Sequence, residues 1–558
     1  MATSELFSLG ALDLPKSSQE AVRHGEVFTR RWVVDLILDL VGYTADRDLA
    51  TMTIVEPACG AGAFLGPIVE RLSASCRAHG RSLLDATNSI RAQDLLEHNV
   101  KLSQKLVTAC LCANGWSTTE AVDVASTWVK QGDYLLQQYG GSVDFVVGNP
   151  PYVRLEDIPD ARMKAYRAEC STMGGRADIY VGFYEIGLRN LNPGGRLGFI
   201  CADRWMRNQY GRNLRSLVAR SYSVDLILTM HDVDAFEERV SAYPAITIIS
   251  NRSQGDAVAA DTTKAFGAGE AAEFRSWLKR DARRVITPTY HGARLPHWFD
   301  DDDSWPAASP ARLAVLEELT HRLPLLQDAA TGTKVGIGVA TGADGIFIVK
   351  SEEASQIEQD RLLPLAMVRD TVTGTLRWQG SYLVNPWTEE GNLVDLANYP
   401  GLAGYFMKHS GILRKRYVAT KRPDHWYKTI DKVDHRLVNK PKLFLPDMKT
   451  TIHPVLDDGQ FYPHHNLYYV VSDTWDPRVL GGLLLSKVAE AFVSAYAVKM
   501  RGGTLRFQAQ YLRKIRVPAP EMISEIDRIA LAEAFDRRDV VAATVAALRA
   551  YGVDRLPD

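Results

Sequence analysis

Asp144-Phe145-Val146-Val147-Gly148-Asn149-Pro150-Pro151-Tyr152 is the stretch from which the rest of this 558-residue chain is read. An apolar run ending at glycine predicts a buried parallel strand. Two prolines stop it. Each lacks a backbone N–H and pushes the residue before it into extended backbone, so Asn149 and Pro150 are held extended just past the strand's carboxyl end. Open α/β sheets place their ligands there. The tip offers two acceptors, the Asn149 side-chain oxygen and the Pro150 carbonyl, with the ring of Tyr152 beside them. Two acceptors and a ring suit a planar group carrying an exocyclic amine. The bland alternative is a strand running into a proline-rich turn.

Upstream, the β-branched stretch Thr51–Val55 runs into Glu56-Pro57-Ala58-Cys59-Gly60-Ala61-Gly62-Ala63-Phe64-Leu65 and then a helix through about His79. Pro67 is tolerated only in a first helical turn, which predicts a helix start near Ala63. Gly60 and Gly62 let the backbone approach a ligand, and the helix N-terminus favours a carboxylate. No Gly-Lys-Ser/Thr follows, and Leu65 breaks the Gly-x-Gly-x-x-Gly pattern, so neither a P-loop nor a dinucleotide fingerprint is present. A short strand, Ile90–Asp94, ends in an acid placed to accept ribose hydroxyls. Gly132-Asp133 lies eleven residues before Asp144; alone it reads as a turn. Thr29 is placed to cap a helix with the apolar face Val33, Leu36, Ile37 and Leu40.

Downstream, residues 153–176 read as a polar excursion near a substrate mouth. Ala177–Tyr184 opens a helix, Leu191–Arg196 a turn and Leu197–Ile200 a strand. Phe236 heads a polar loop before the strand at Ala245–Ile249, where a core plug is the ordinary reading. The alternation of strand, turn and helix predicts a doubly wound α/β domain.

The length calls for two or three domains. Net charge is −2, so a nucleic-acid contact must come from a local patch. Residues 401–520 hold 20 Lys and Arg against 9 Asp and Glu. Tyr417, Trp426, Tyr427, Phe461, Tyr462, Tyr468 and Tyr469 interleave with them, an electrostatic footprint for phosphates or, more plainly, a solvated face. Cys59, Cys76, Cys110, Cys112, Cys170 and Cys201 form no paired metal pattern and predict reduced cytosolic thiols. No metal site is expected, and His464 and His465 are assigned to packing or nucleic-acid contact. The N-terminus lacks a signal peptide and no apolar run is long enough to span a membrane, so the expected location is cytoplasmic. Residues 251–310 read as a linker with one or two strands and a solvated acidic run at Asp300–Asp303. Lys334–Val349 reads as a glycine-rich hairpin.

Asn149-Pro150-Pro151-Tyr152 resembles the catalytic motif of the amino-methyltransferases. Glu56-Pro57-Ala58-Cys59-Gly60-Ala61-Gly62-Ala63-Phe64 resembles the S-adenosyl-L-methionine loop of adenine-N6 methyltransferases. The order of a cap turn at Thr29, this loop, Asp94, the tetrapeptide and a large basic C-terminal part resembles the gamma-class DNA adenine-N6 methyltransferases of the TaqI/Eco57I-like family. The resemblance implies catalysis by Asn149, Pro150 and Tyr152, and base stacking by Tyr152 and Phe236. It implies cofactor contacts from Thr29, Glu56, Ala58, Gly60, Gly62, Phe64, Asp94 and Asp133, with Asp178 and Tyr180 beside the cofactor adenine. DNA contacts are placed at Arg416, Lys421, His464, His465, Arg501 and Thr504. The implied domains are an arm (1–22), a catalytic Rossmann-like domain (23–250), the linker (251–310), an α+β target-recognition domain (311–520) and a helical tail (521–558). Only about 22 residues precede the first motif, so a stand-alone enzyme is expected: a monomer on double-stranded DNA, solitary or partnered by a separate restriction endonuclease. The rivals are an RNA or protein-glutamine amino-methyltransferase and a non-catalytic DNA-binding subunit.

Overall fold

The computed structural model describes residues 27–137, 143–153, 157–238, 243–300, 304–497 and 505–557. They divide between residues 317 and 318 into two units. The arm (1–22), Asp301–Asp303, Arg501 and Thr504 lie outside the described residues.

The first unit is built on one ten-stranded sheet. Its strands are β1 (Ile54–Glu56), β2 (Ile90–Asp94), β3 (Val129–Gln131), β4 (Val143–Gly148), β5 (Leu191–Ala202), β6 (Ser223–Thr229), β7 (Pro244–Ser250), β8 (Ala257–Thr262), β9 (Arg284–Ile286) and β10 (Tyr290–Leu295). Their spatial order is β3-β2-β1-β4-β5-β7-β6-β8-β10-β9. β1 to β5 run parallel, and β7 lies antiparallel between β5 and β6. The chain leaves β1 toward β2 on one side and returns to β4 on the other. A crevice therefore opens at the carboxyl ends of β1 and β4, the switch point at which such sheets bind ligands.

Two helical layers cover the sheet because its central strands are apolar on both faces. Ile54, Phe145, Val147, Ile200 and Ile248 face one core, shared with α1 (Arg31–Val41), α2 (Leu65–His79), α3 (Glu97–Ala113) and α4 (Thr118–Trp128). Val55, Val146, Leu197, Phe199 and Ile249 face the other, shared with α6 (Tyr180–Arg189) and α7 (Arg212–Ser221); α5 (Asp160–Glu169) sends Tyr166 into it. Val146 and Val147 are fully buried, each worth about 1.5–3 kcal/mol. Gly198 lets α1 lie directly on β5, since a Cβ there would stand 2.5 Å from Val41 Cγ1.

Several expectations change. Residues 251–310 are not a linker: β8 pairs with β6, and β10 and β9 extend the sheet, with α8 (Ala268–Leu278) in the first core. Their small, alternating residues suit a sheet edge as well as a loop, which misled the compositional reading. Leu191–Arg196 belongs to β5, with a register irregularity opposite Val143–Phe145 that absorbs the Pro-Gly-Gly. The first helix has no side-chain cap; Arg30, not Thr29, stands at its N-cap. α2 starts at Leu65 with Pro67 in its first turn.

The second unit carries a four-stranded antiparallel sheet ordered Lys334–Ile337, Leu467–Val471, Lys442–Pro446, Val455–Asp457 and a smaller one through Ile348–Val349, Tyr382–Val384, Leu362–Ala366 and Tyr462–Pro463. Lys334–Ile337 and Ile348–Val349 thus enter different sheets and form no hairpin; Asp344–Phe347 is a helical turn. Residues beyond 520 are helical, Glu525–Arg537 and Val540–Tyr551. Glu525–Arg537 docks on Pro477–Leu485 so tightly that a Cβ on Gly481 would meet Phe535 at 2.6 Å. Among the described residues no single helix is long and apolar enough to cross a membrane.

Candidate active site

The crevice at the switch point encloses about 180 Å³. Thr29, Glu56, Ala58, Gly60, Phe64, Asp94, Asp133 and Asn149 line it, eight of the residues singled out from sequence. Gly60 (φ +50°) offers a bare edge, with nothing within 4 Å of where a Cβ would stand. Gly62 (φ +95°) serves differently. Its missing Cβ makes room for Leu106 Cδ2, 2.6 Å away, so it packs the loop on α3 and does not line the crevice.

The lining is acidic. Asp94 receives hydrogen bonds from the Gly60 and Leu96 amides at 2.9 Å and from Asn99 Nδ2 at 3.1 Å, so the β2 tip also holds the glycine loop in shape. Glu56, 2% exposed, keeps Oε2 buried without a partner among the described residues. Burial, aided by the nearby Asp94 charge, pushes its carboxyl well above the ordinary range. Asp133 Oδ2 accepts from the Tyr166 hydroxyl at 2.7 Å, with Arg162 Nε 4.0 Å away. Such a crevice repels phosphates and suits a ligand with cationic centres and hydroxyl or amine donors. S-adenosyl-L-methionine, with an ammonium, a sulfonium, two ribose hydroxyls and an adenine amine, fits that donor set.

Asn149 stands at the β4 tip as the double proline requires. Its Nδ2 donates to the Val27 carbonyl at 2.9 Å and to Thr29 Oγ1 at 3.3 Å. Its Oδ1 is buried with no partner among the described residues. A buried acceptor left open costs about 1–3 kcal/mol, a cost that persists where a ligand satisfies it.

Neither aromatic assigned to base stacking lines the crevice. Phe236 is 5% exposed, sits in the first core and bridges Thr29 through its backbone; the geometry matches the core-plug reading, because pairing with residues 28–30 turns the ring inward. Tyr152 does not line the crevice: its ring lies edge-on to Tyr180 at 6.5 Å and its hydroxyl is buried. Asp178 and Tyr180 hydrogen-bond with Tyr210, and Ile179, the residue between them, and Phe183, three positions beyond Tyr180, line the crevice instead. Sequence reading missed Ile158, Pro159, Arg162 and Tyr166, supplied to the lining by the polar excursion and α5. Their only signal was apolar residues inside a polar segment.

In the second unit Arg416 is no free cation. Its guanidinium donates to the carbonyls of Thr341, Leu413, Trp426 and Lys428 and sits over the Phe347 ring. Lys421 is exposed, 5.5 Å over the Tyr417 ring, alongside exposed Arg414, Lys415 and Arg422. His464 is buried and pairs with Asp344 at 3.0 Å, so it cannot reach into a DNA groove. Burial and neighbouring His465 lower its pKa, with the Asp344 carboxylate opposing them. Asp344, His464 and His465 gather ligand-type atoms within 4.8 Å, and the Asp344–His464 hydrogen bond accounts for two of the three.

A doubly wound sheet whose acidic crevice carries an open amide oxygen in its lining suits group transfer from a cationic nucleoside cofactor. Residues 72–236 match the Eco57I restriction-modification methylase family, and residues 404–517 the TaqI-like C-terminal specificity domain. The chain is 44% identical over 537 residues to Type II methyltransferase M.PaeR7I of Pseudomonas aeruginosa, covering 95% of this chain and 92% of that one. It is 41% identical over 535 residues to Type II methyltransferase M.XhoI of Xanthomonas vasicola, covering 95% and 97%. Among solved structures, the Type IIL restriction-modification enzyme MmeI in complex with DNA matches 96% of this chain and 76% of its own at 12% identity and a TM-score of 0.45. The chain belongs to the Type II methyltransferases of restriction-modification systems, with an Eco57I-type methylase domain and a TaqI-like specificity domain.

Proposed function

We propose that this methyltransferase acts on adenine N6 of double-stranded DNA, using S-adenosyl-L-methionine, with the target base flipped out of the helix. The observation that carries the reading is the Asn149 carboxamide: nitrogen anchored, oxygen buried and open, at the rim of an acidic crevice.

Glu56, Asp94 and Asp133 hold the cofactor by its cationic and donor groups, and the Gly60 edge admits it closely. When bound, the cofactor supplies an electrophilic methyl group on sulfur. Adenine N6 is unreachable inside a duplex, so the base is extruded at a cost of a few kcal/mol. Asn149 Oδ1 and the Pro150 carbonyl each take one N6 hydrogen. That draws the nitrogen lone pair out of conjugation and aims it into the crevice. Neither amide oxygen is basic enough to keep a proton, so the proton released from N6 passes to water. The residues' contribution is positioning in a site that excludes solvent. Exposed Arg414, Lys415, Lys421 and Arg422 supply phosphate contacts. In this reading the enzyme works as a monomer in the cytoplasm, alone or beside a separately encoded restriction endonuclease.

The test is incubation with methyl-labelled cofactor and plasmid DNA, followed by digestion to nucleosides. N6-methyldeoxyadenosine is expected. Label on cytosine, or on RNA or protein alone, overturns the assignment, and binding without transfer would make the chain a non-catalytic subunit.

A further inference from the structure

We infer that the segment Val27-Phe28-Thr29, which lines the crevice, also serves as the positioning device for the catalytic carboxamide of Asn149. The inference rests on the amine-acceptor role proposed for that residue.

A carboxamide is nearly symmetric in shape, yet a half-turn exchanges an acceptor for a donor. The target amine needs the oxygen. Nothing on β4 itself sets the choice. The Val27 carbonyl does, because it accepts from Nδ2 at 2.9 Å and would oppose an oxygen placed there. Thr29 Oγ1 adds a second acceptor at 3.3 Å. The segment is itself anchored. The Arg30 amide donates to the Ala235 carbonyl at 3.0 Å and the Glu237 amide to the Phe28 carbonyl at 2.9 Å. Thr29 and Phe236 form an antiparallel bridge. Arg30 clamps the loop ahead of β7 through the Phe236 carbonyl at 3.1 Å and Asp234 at 2.9 Å. The same three residues therefore touch the cofactor crevice, the catalytic side chain and the loop that leads into β7. Thr29 is a positioning residue and need not touch the base.

Thr29→Val tests this, since valine keeps the β-branched shape and the backbone pairing and removes only the oxygen. With saturating cofactor and an oligonucleotide carrying the mapped target site, the single-turnover rate should fall about three- to tenfold, the worth of one net hydrogen bond. The Kd for S-adenosylhomocysteine by calorimetry reads any cofactor contact of Thr29 separately, and at saturating cofactor the fall in rate should persist whatever that Kd does. The preference in Kd for adenine over purine at the target position should narrow, because purine lacks the amine. Thr29→Ser should restore the rate and this preference. A wild-type rate in Thr29→Val, or a loss traced wholly to cofactor affinity, overturns the inference. A wild-type enzyme that makes no N6-methyladenine strikes the proposed function instead.

Discussion

Replacing Glu56 with glutamine should make the cofactor-free protein more stable and the enzyme worse. Glu56 is 2% exposed, its Oε2 has no partner among the described residues, and Asp94 adds a second negative charge nearby. Its carboxyl is raised well above the ordinary value by burial and by Asp94. A raised folded pKa means that the unfolded chain ionises first. Glu56 therefore costs nothing below the unfolded value of about 4.3. The cost grows as pH rises from there toward the folded value, then levels off. Glutamine does not ionise, so the gain from Glu56→Gln should be small near pH 5 and larger at pH 8. A buried, unpaired group of this kind costs about 1–3 kcal/mol. At roughly 2–4 °C per kcal/mol for a domain of this size, the melting temperature at pH 8 should rise by several degrees. Cofactor affinity should fall roughly 10- to 100-fold, the worth of one charge-assisted hydrogen bond. Scanning fluorimetry across pH, with calorimetric titration of S-adenosylhomocysteine, reads both. A variant with unchanged melting temperature at every pH and unchanged affinity would refute the reasoning.

Asn149→Ala should lower methyl transfer by about 100-fold or more while S-adenosylhomocysteine still binds within a few-fold, because the side chain acts on the target amine; comparable turnover would remove it from the mechanism. Gly62→Ala should cost about 1–3 kcal/mol in chemical denaturation, since φ is +95° and the new Cβ would meet Leu106 at 2.6 Å. Lys442 and Asp457 form a fully buried ion pair at 2.8 Å. Lys442→Met should therefore destabilise the second unit by about 3–5 kcal/mol, whereas Lys442→Met with Asp457→Leu should recover most of it; urea unfolding separates the two.

The β4 tip was legible without coordinates because its cause is local. Two consecutive prolines constrain the backbone wherever the strand lies, and an apolar run must be buried. The glycine loop and the acids ending β2 and following β3 were legible for a similar reason: in a doubly wound sheet the carboxyl ends of neighbouring strands converge on one crevice. Composition misread 251–310 because small residues serve a sheet edge and a loop equally well, and only pairing with β6 distinguishes them. Arg416 was misread because a charge in a basic segment carries no mark of whether carbonyls already surround it.

The chain alone determined which groups are available and which strand end presents them, since propensity, proline geometry and apolar patterning act over a few residues. Tertiary structure decided which side chains are free to act. It turned Phe236 and Tyr152 inward, spent Arg416 and His464 on internal partners and brought Val27 and Thr29 to Asn149, 120 residues or more along the chain. Hydrogen bonds and burial depend on distances in space, and no periodicity in the sequence encodes those.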